Sequence, residues 1–505
     1  QSWIVYVSVN VDTDSIYEML QGDDDSIHEM QEFFEDSDDE EEPFSVSFCV
    51  DGDIENEWKC GQDGWTVPEA CNLIHVAGTI DVHSEMYGHL LDLLLHDSRR
   101  WKEILFSEVR YYSPEAFLVL LGATSHKVDS LQFWDCIMDD VASFSCLSSV
   151  ISSGLVRDVE LFDEGRYSIT QPQMSVLSQG LSLTSSLETL SILGNLSIPG
   201  VCEALVQGFE GNSTLKSVDL RLTRIDTAIL PRLFQSLQNH PKLSHLALIS
   251  TQALSPEIME RYRRWLETDD CQLESLEFGK SFRAFGSPFC VNLGVLRKPN
   301  MSLKSLKLHD LDLRESGQAG ILPNLRNLTT LELSSSKVDL EQLDVLLLGD
   351  TCRLETLKLY HVSLGANDTI SFEKKLPRMR VLRDFTSYHS LQLKERQDVE
   401  RFLHACMQNT SIERLDIEPY YQDTIDLVPK ARFAPMLNRA GRRYLGKNPG
   451  TLALNLFPLV VERAAKIRYY HTMDPWGEPY AKFDGLDATF WLLRENGQVL
   501  SHIGK

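Results

Sequence analysis

The chain has 505 residues, 43% of them hydrophobic, and a net charge of −26. Its longest apolar runs, "FLVLLGA" and "LDVLLLG", fall far short of the roughly 20 residues a membrane-spanning helix needs, so no membrane span is expected. Ten cysteines without a C-x-x-C pair or short disulfide-like spacing point to reduced thiols and a cytoplasmic or nuclear chain. The start at Gln1 lacks a basic stretch followed by an apolar run, so a signal peptide is either absent or already removed.

The first 70 residues form an acidic N-terminal segment and cap. Residues 1–58 hold 19 Asp or Glu and no Lys or Arg. Two stretches, "WIVYVSVNV" and "FSVSFCV", alternate apolar and polar residues, which predicts two half-buried strands capping the core that begins near residue 71. Between them, "DDDSIHEMQEFFEDSDDEEE" is too charged to collapse. It reads either as a solvated loop or as an acidic amphipathic motif that folds onto a basic partner such as a histone-like tail. The nearby "DGDIENE" supplies carboxylates for calcium but lacks the mid-loop Gly and terminal Glu spacing of a helix-loop-helix site. Ser37, followed by "DDE", fits an acid-directed kinase site.

From residue 71 a pattern repeats: an apolar residue, a second three positions on, a third two after that. Its copies include Trp101/Ile104/Phe106, Val128/Leu131/Phe133, Val156/Val159/Leu161, Leu187/Leu190/Ile192, Leu215/Val218/Leu220, Leu303/Leu306/Leu308 and Leu354/Leu357/Leu359. Successive first positions lie 25 to 33 residues apart, with a period near 28. Between them run segments of helical spacing, such as "SIPGVCEALVQGFEGN", so each unit reads as strand, turn, helix. About a dozen such copies resemble the leucine-rich repeat family, in its ribonuclease-inhibitor-like subtype, over residues 71–420. The resemblance implies an α/β solenoid curved as a horseshoe, with a parallel sheet on the concave face and helices on the convex face. Family repeats carry Asn or a small polar residue three after the last strand Leu. Asn195, Thr223, Thr251, Ser281 and Ser336 comply, whereas Val109, Leu311 and Val362 do not. One copy is distorted. Met379 and Leu382 keep the phase, but Asp384 falls where an apolar residue belongs, and the weakest repeat is expected there.

Six N-x-S/T sequons occur, at Asn195, Asn212, Asn300, Asn327, Asn367 and Asn409. Asn212, Asn300 and Asn409 each stand three residues before a strand's first apolar residue, where a helix-to-strand turn itself favours Asn and Ser/Thr.

No nucleophile elbow, phosphate-cradling Gly loop, H-E-x-x-H or clustered Cys/His set appears. His75, His245 and His309 fall on outward strand positions without a regular carboxylate partner or a nucleophile in phase. The expectation is a non-enzymatic chain with no cofactor, no metal site and no specific nucleic-acid partner. What the repeats offer is a surface. Outward positions of successive repeats read Ser107, Trp134, Phe162, Leu193, Arg221, Ile249, Gly279, His309, Ser334 and Tyr360. Parallel strands stack about 4.8 Å apart, so Trp134, Phe162 and Leu193 form one exposed apolar ladder, with Asp135, Asp158, Glu160 and Asp163 beside it. That combination predicts a protein-binding patch.

Residues 421–505 read as a C-terminal cap. "LNRAGRRYL" followed by "ATFWLLREN" resembles a terminal block of leucine-rich-repeat proteins of certain unicellular algae, a family of unestablished role. Arg439, Arg442, Arg443 and Lys447 read as a solvated basic helix or as a site for phosphate or an acidic partner. The function expected is a scaffold that binds a protein partner, one of basic character included, on the concave face. Two alternatives stand by analogy. One is an activator of a small GTPase, because a GTPase-activating family sets the same repeats beside an acidic region, though after the repeats rather than before. The other is an acidic binder of histone-like basic proteins.

Overall fold

In a computed structural model the described residues run, with gaps, from 72 to 417, together with Ser45–Cys49 and a few positions at 435–439 and 462–463. One open sheet follows the chain order almost throughout. Strand β1 (Ser45–Cys49), within the expected "FSVSFCV", lies antiparallel on β2 (Leu73–Ile80) and continues the sheet past the first repeat. The strands then run parallel: β3 (Trp101–Tyr111), β4 (Val128–Trp134), β5 (Asp158–Phe162), β6 (Thr189–Leu193), the short β7 (Asn195–Leu196) beside β8 (Ser217–Ile225), and β9 (His245–Ser250). They continue with β10 (Ser275–Lys280), β11 (Ser305–His309), β12 (Thr330–Ser334), β13 (Thr356–Tyr360), β14 (Asp384–Tyr388) and β15 (Arg414–Ile417). "WIVYVSVNV" and the acidic insert lie outside the described residues.

Helices return the chain between strands: α1 (Glu85–His96), α2 (Pro114–Thr124), α3 (Val141–Ser152), α4 (Gln171–Leu183), α5 (Val201–Gly211), α6 (Leu230–Gln238) and α7 (Pro256–Leu266), then α8 (Leu340–Leu348), α9 (Ala366–Lys375) and α10 (Arg396–Gln408). Their starts are written locally. Asp140 caps α3 by accepting from the Ser143 N–H at 2.6 Å, and α4 opens with Thr170, Pro172 and Gln173 in a capping box. The chain is therefore an α/β repeat solenoid. Strands stack about 4.8 Å apart while packed helices need roughly 8–10 Å, which sets the sheet on the inside of the curve.

The core is the layer between sheet and helices. The apolar positions of the described repeats are almost fully buried, as in Val128/Leu131/Phe133 and Leu215/Val218/Leu220. Phe106 stacks on Phe133 at 5.2 Å and meets Phe117 of α2 edge-on at 5.7 Å. Each such side chain contributes on the order of 1.5–3 kcal/mol on burial.

Register comes from one repeated backbone device. At the head of β3, of β6 and of each strand from β8 to β15, two successive N–H groups donate to a single carbonyl of the preceding repeat. Glu188 and Thr189 share Arg157 O at 2.7 and 2.9 Å, Lys216 and Ser217 share Glu188 O, Lys304 and Ser305 share Glu274 O, and Glu413 and Arg414 share Arg383 O. At the strand exits Asp135, Asp310, Ser335, His361 and His389, and at Glu108 inside β3 where its register with β2 shifts, the backbone is left-handed, with φ between 49° and 54°. Four of them use the turn to add a last ladder bond: Asp135 to Phe162 O, Asp310 to Ser334 O, Ser335 to Tyr360 O and His361 to Tyr388 O, at 2.7–2.9 Å. For non-glycine residues that conformation costs roughly 1–2 kcal/mol, which the continued ladder offsets.

A second device sits three residues before the first apolar position. Asn409 is fully buried. Its Oδ1 accepts from the Ser411 and Ile412 N–H groups at 2.8 Å, and its Nδ2 donates to Leu376 O and Met379 O of the previous repeat. Asn300 and Asn212 do the same, on Leu266 O and Leu181 O. In the equivalent slots Thr184 accepts from Ser186 and Leu187, and His240 reaches Asn212 Oδ1 at 3.3 Å. These three sequon asparagines are structural: at 5%, 3% and 0% exposure their amides have no room for a glycan on the folded chain.

The structure corrects the reading of the distorted repeat. Asp384 pairs in register with Thr356, Phe385 with Leu357 and Ser387 with Leu359, so the true triplet is Leu382/Phe385/Ser387. Asp384 occupies an outward position, its carboxylate 4.0 Å from Arg414. The polar residue in the core slot is Ser387, and it is buried. The exits at Leu311 and Val362 are equally regular, because Ser336 and Ser390 of the following repeats accept from their N–H groups at 3.2 and 2.9 Å.

Three helices approach one another unusually closely through small residues. A Cβ on Gly180 of α4 would stand 2.5–2.8 Å from Ser148 of α3, backbone included, and one on Gly208 of α5 would stand 3.1 Å from Ser178 of α4. Gly180→Ala is therefore expected to destabilise the protein by about 1–3 kcal/mol despite the better helix propensity of Ala. Gly88→Ala, in α1 with open space around it, is expected to stabilise by about 0.5–1 kcal/mol. Denaturant midpoints measured side by side check the pair, and a Gly180→Ala midpoint at or above the parent would refute the close approach.

His240 generates a second expectation. Burial, then the nearby Lys242, holds its pKa below the ordinary 6.5. The unfolded chain thus takes up the proton first, and stability is lost as pH falls below 6.5 toward the folded value. His240→Asn, which restores the amide used in the neighbouring slots, should flatten that part of a pH–stability curve; an unchanged slope between pH 7 and 5 would count against it.

Candidate protein-binding face

The outward residues of the sheet fall into three rows, each fixed by cross-strand register. The outermost row brings Ser107 beside Trp134, Trp134 beside Phe162, and Phe162 beside Leu193. Farther along, Arg221, Ile249, Gly279, His309, Ser334, Tyr360 and Tyr388 follow in the same row. Trp134 is 41% exposed, its ring 6.1 Å from Phe162 and tilted by 56°. Glu160 stands diagonally across the β4–β5 register from Trp134. Phe162 and Leu193 are half-buried. The row is not open along its whole length: Ile249 is buried at 6%, and Gly279, at φ 147°, lies so close to the His309 carbonyl that a Cβ would collide with it.

The middle row carries charge. Gln132, Glu160, Ser191, Asp219, Ala247, Glu277, Lys307, Glu332, Lys358, Thr386 and Asp416 are successive partners. Toward the C-terminal half opposite charges alternate, with Lys307 at 3.2 Å from Glu277 and Lys358 at 3.9 Å from Glu332. Toward the N-terminal half acid dominates. Burial raises the pKa of Glu160, with Asp219 and Glu103 adding to it. Burial likewise raises that of Asp219, although Arg221 holds it at 2.7 Å from Nε. The inner row runs Glu103, Ser130, Asp158, Thr189 and Ser217. Glu103, Asp158, Gln132, Glu160 and Ser191 line a cavity of about 430 Å³ together with Lys102, Asp129 and Arg157.

Of the expected site residues, the structure brings Trp134, Phe162, Leu193, Asp158 and Glu160 onto one face. Asp135 stands at the strand exit in its left-handed turn. Arg439 is exposed near the last described repeat. Ser37, Asp163, Arg442, Arg443 and Lys447 lie outside the described residues. The histidine expectations need refinement. His75 does take an outward strand position, in register through Leu105 with Gln132, but it is only 8% exposed there, and burial lowers its pKa. His309 does have a carboxylate partner: Glu277 of the adjacent strand, 3.2 Å from Nε2. That pair is diagonal across two strands and 32 residues apart, so only the strand register reveals it. At the far end, Tyr360 stacks on Tyr388 at 5.6 Å, and the Tyr388 hydroxyl donates to Asp416 at 2.7 Å.

Among the described residues no three His, Cys, Asp or Glu side chains converge on a metal position, and no described helix is long and apolar enough to cross a membrane. Cys136, with its Sγ donating to Phe106 O at 3.3 Å, is pushed up to about 12 by burial and is held as the thiol. Buried Asn438 donates to Asn409 O and Ile412 O at 3.1 and 2.7 Å, so the segment around residue 437 covers the end of the last described repeat. Comparison with protein-family models finds no match, and comparison with curated proteins finds none.

The Glu277 cluster gives a measurable signature. Burial alone would raise this carboxyl, but His309, Lys307 and Arg221 outweigh it and bring it from 4.5 to about 2. Its stabilisation is present above pH 4.5 and is lost as pH falls toward 2, on the order of 3 kcal/mol in full. Glu277→Gln should lower stability at neutral pH and make the decline between pH 4.5 and 3 shallower. A decline as steep as the parent's would show that other groups carry it.

Proposed function

We propose that this chain is a leucine-rich-repeat scaffold, non-enzymatic, that binds a protein partner on the concave face of its sheet through Trp134, Phe162 and Leu193, with Asp135, Asp158 and Glu160 at the rim. The observation that carries the reading is the in-register aromatic pair. Trp134 is exposed at 41% yet held against the ring of Phe162, 6.1 Å away. A large apolar side chain already held in place loses little entropy on binding and buries much area, the usual character of an interface hot spot. The repeat count supports the family assignment, since about a dozen units of one period need a common architecture.

The test is affinity capture from the native source with the parent chain, Trp134→Ala and Phe162→Ala, alongside thermal melts. Each variant should weaken capture of the same protein by about 2 kcal/mol or more. The melting temperature of Trp134→Ala should stay near that of the parent, because its side chain faces outward. Equal capture by all three chains would discard this face as the binding site.

A further inference from the structure

Beside the aromatic pair, the cavity of about 430 Å³ opens on the same side of the sheet. Along β5, Asp158, Glu160 and Phe162 project from one face at intervals of ~7 Å, so the cavity and the Trp134–Phe162 pair are neighbouring subsites rather than distant features. We propose that the cavity receives the charged end of a lysine or arginine from the bound partner, while an aliphatic side chain two residues away in the partner's extended segment packs on Trp134 and Phe162. The inference rests on the scaffold reading above and names the chemistry of its partner.

Charge complementarity commits the occupant. Four carboxylates line the cavity against two cations, Lys102 and Arg157. Asp129 is already engaged by Arg100, and Glu188, whose pKa is lowered chiefly by its hydrogen bond with Lys216, also draws on Arg157. Glu103, Asp158 and Glu160 remain on the floor, and none of them makes an ion pair among the described residues. Burial raises Glu103, with Asp158 adding to it despite Lys102, and burial raises Glu160, with Asp219 and Glu103 adding to it against Arg221. Carboxylates that disfavour one another in a half-enclosed space gain from an entering cation. A lysine or arginine supplies it on a long apolar stem, which can cross the rim of Trp134 and lie against the indole face. The spacing follows from geometry: side chains i and i+2 of an extended partner are also ~7 Å apart.

The probe is a fluorescein-labelled peptide, acetyl-Gly-Leu-Ser-Arg-Ser-Leu-Gly-amide, titrated with the full chain at near-physiological salt and read by anisotropy. A second peptide carries Glu in place of Arg. The Arg peptide should bind, the Glu peptide should not, and Glu103→Gln with Glu160→Gln should weaken the Arg peptide by at least about fivefold while the melting temperature holds or rises. Asp158→Asn is the second variant, with the same expected direction. The acidic N-terminal stretch is unchanged in every variant, so binding that survives both substitutions belongs there and overturns the proposal. Absence of Arg-peptide binding, or equal binding of the two peptides, overturns it as well. Concentration-dependent self-association abolished by the Gln pair would seat a second copy in the cavity and sink the partner assignment. If capture of the native partner depends on Trp134 and not on Glu103 or Glu160, the scaffold reading stands and the cation subsite falls.

Discussion

The exposed face depends on backbone register, held by the ladder and, at the head of ten strands, by a shared carbonyl. Two N–H groups of one repeat converge on a single oxygen of the repeat before, from Asn72 O under Lys102 and Glu103 to Arg383 O under Glu413 and Arg414. A strand tied at its first residue cannot slip, and slipping by one would turn every outward side chain into the core. The three rows of the face are thus set by backbone geometry, whatever side chains they carry. This leaves the outward positions free to differ along the array, which is how acid, alternating charge and aromatic pairs come to occupy successive stretches of one sheet.

The buried amides work with the same geometry from the other side. Asn212, Asn300 and Asn409 each satisfy two N–H groups of their own repeat and at least one carbonyl of its predecessor. Each group left unpaired there would cost about 1–3 kcal/mol. His240 and Thr184 show how far the slot tolerates substitution: a side chain must accept from the turn, and the link to the neighbour can pass through another side chain.

Much of the fold was legible because its signal is periodic. Leu215/Val218/Leu220 and its copies announce strands, and their spacing alone places Trp134, Phe162 and Leu193 in one row. The reading failed where one polar residue entered a core slot. Ser387 hid the true triplet, and Met379 and Leu382 offered a plausible apolar frame three residues early, which made an outward Asp384 look buried. The interactions between repeats were less accessible still. Glu277 and His309 are 32 residues apart, and Glu103 and Glu160 meet only because two strand registers are added together. The cavity is a property of four neighbouring repeats and has no local sequence sign, whereas the slot before some strands did leave a trace, as sequons that looked like modification sites.

The glycine and serine contacts between α3, α4 and α5 bear on shape. A solenoid bends because its outer layer is wider than its inner one, and the local radius of that bend is set by how far apart neighbouring helices stand. Where Gly180 and Gly208 let helices settle against Ser148 and Ser178, the outer layer shortens toward the spacing of the strands. The arc must flatten behind β5 and β6. That stretch carries Phe162, Leu193 and the floor of the cavity, so the part of the face best furnished for contact is also the part least wrapped around its occupant. Anything that lies on that stretch meets a comparatively level surface.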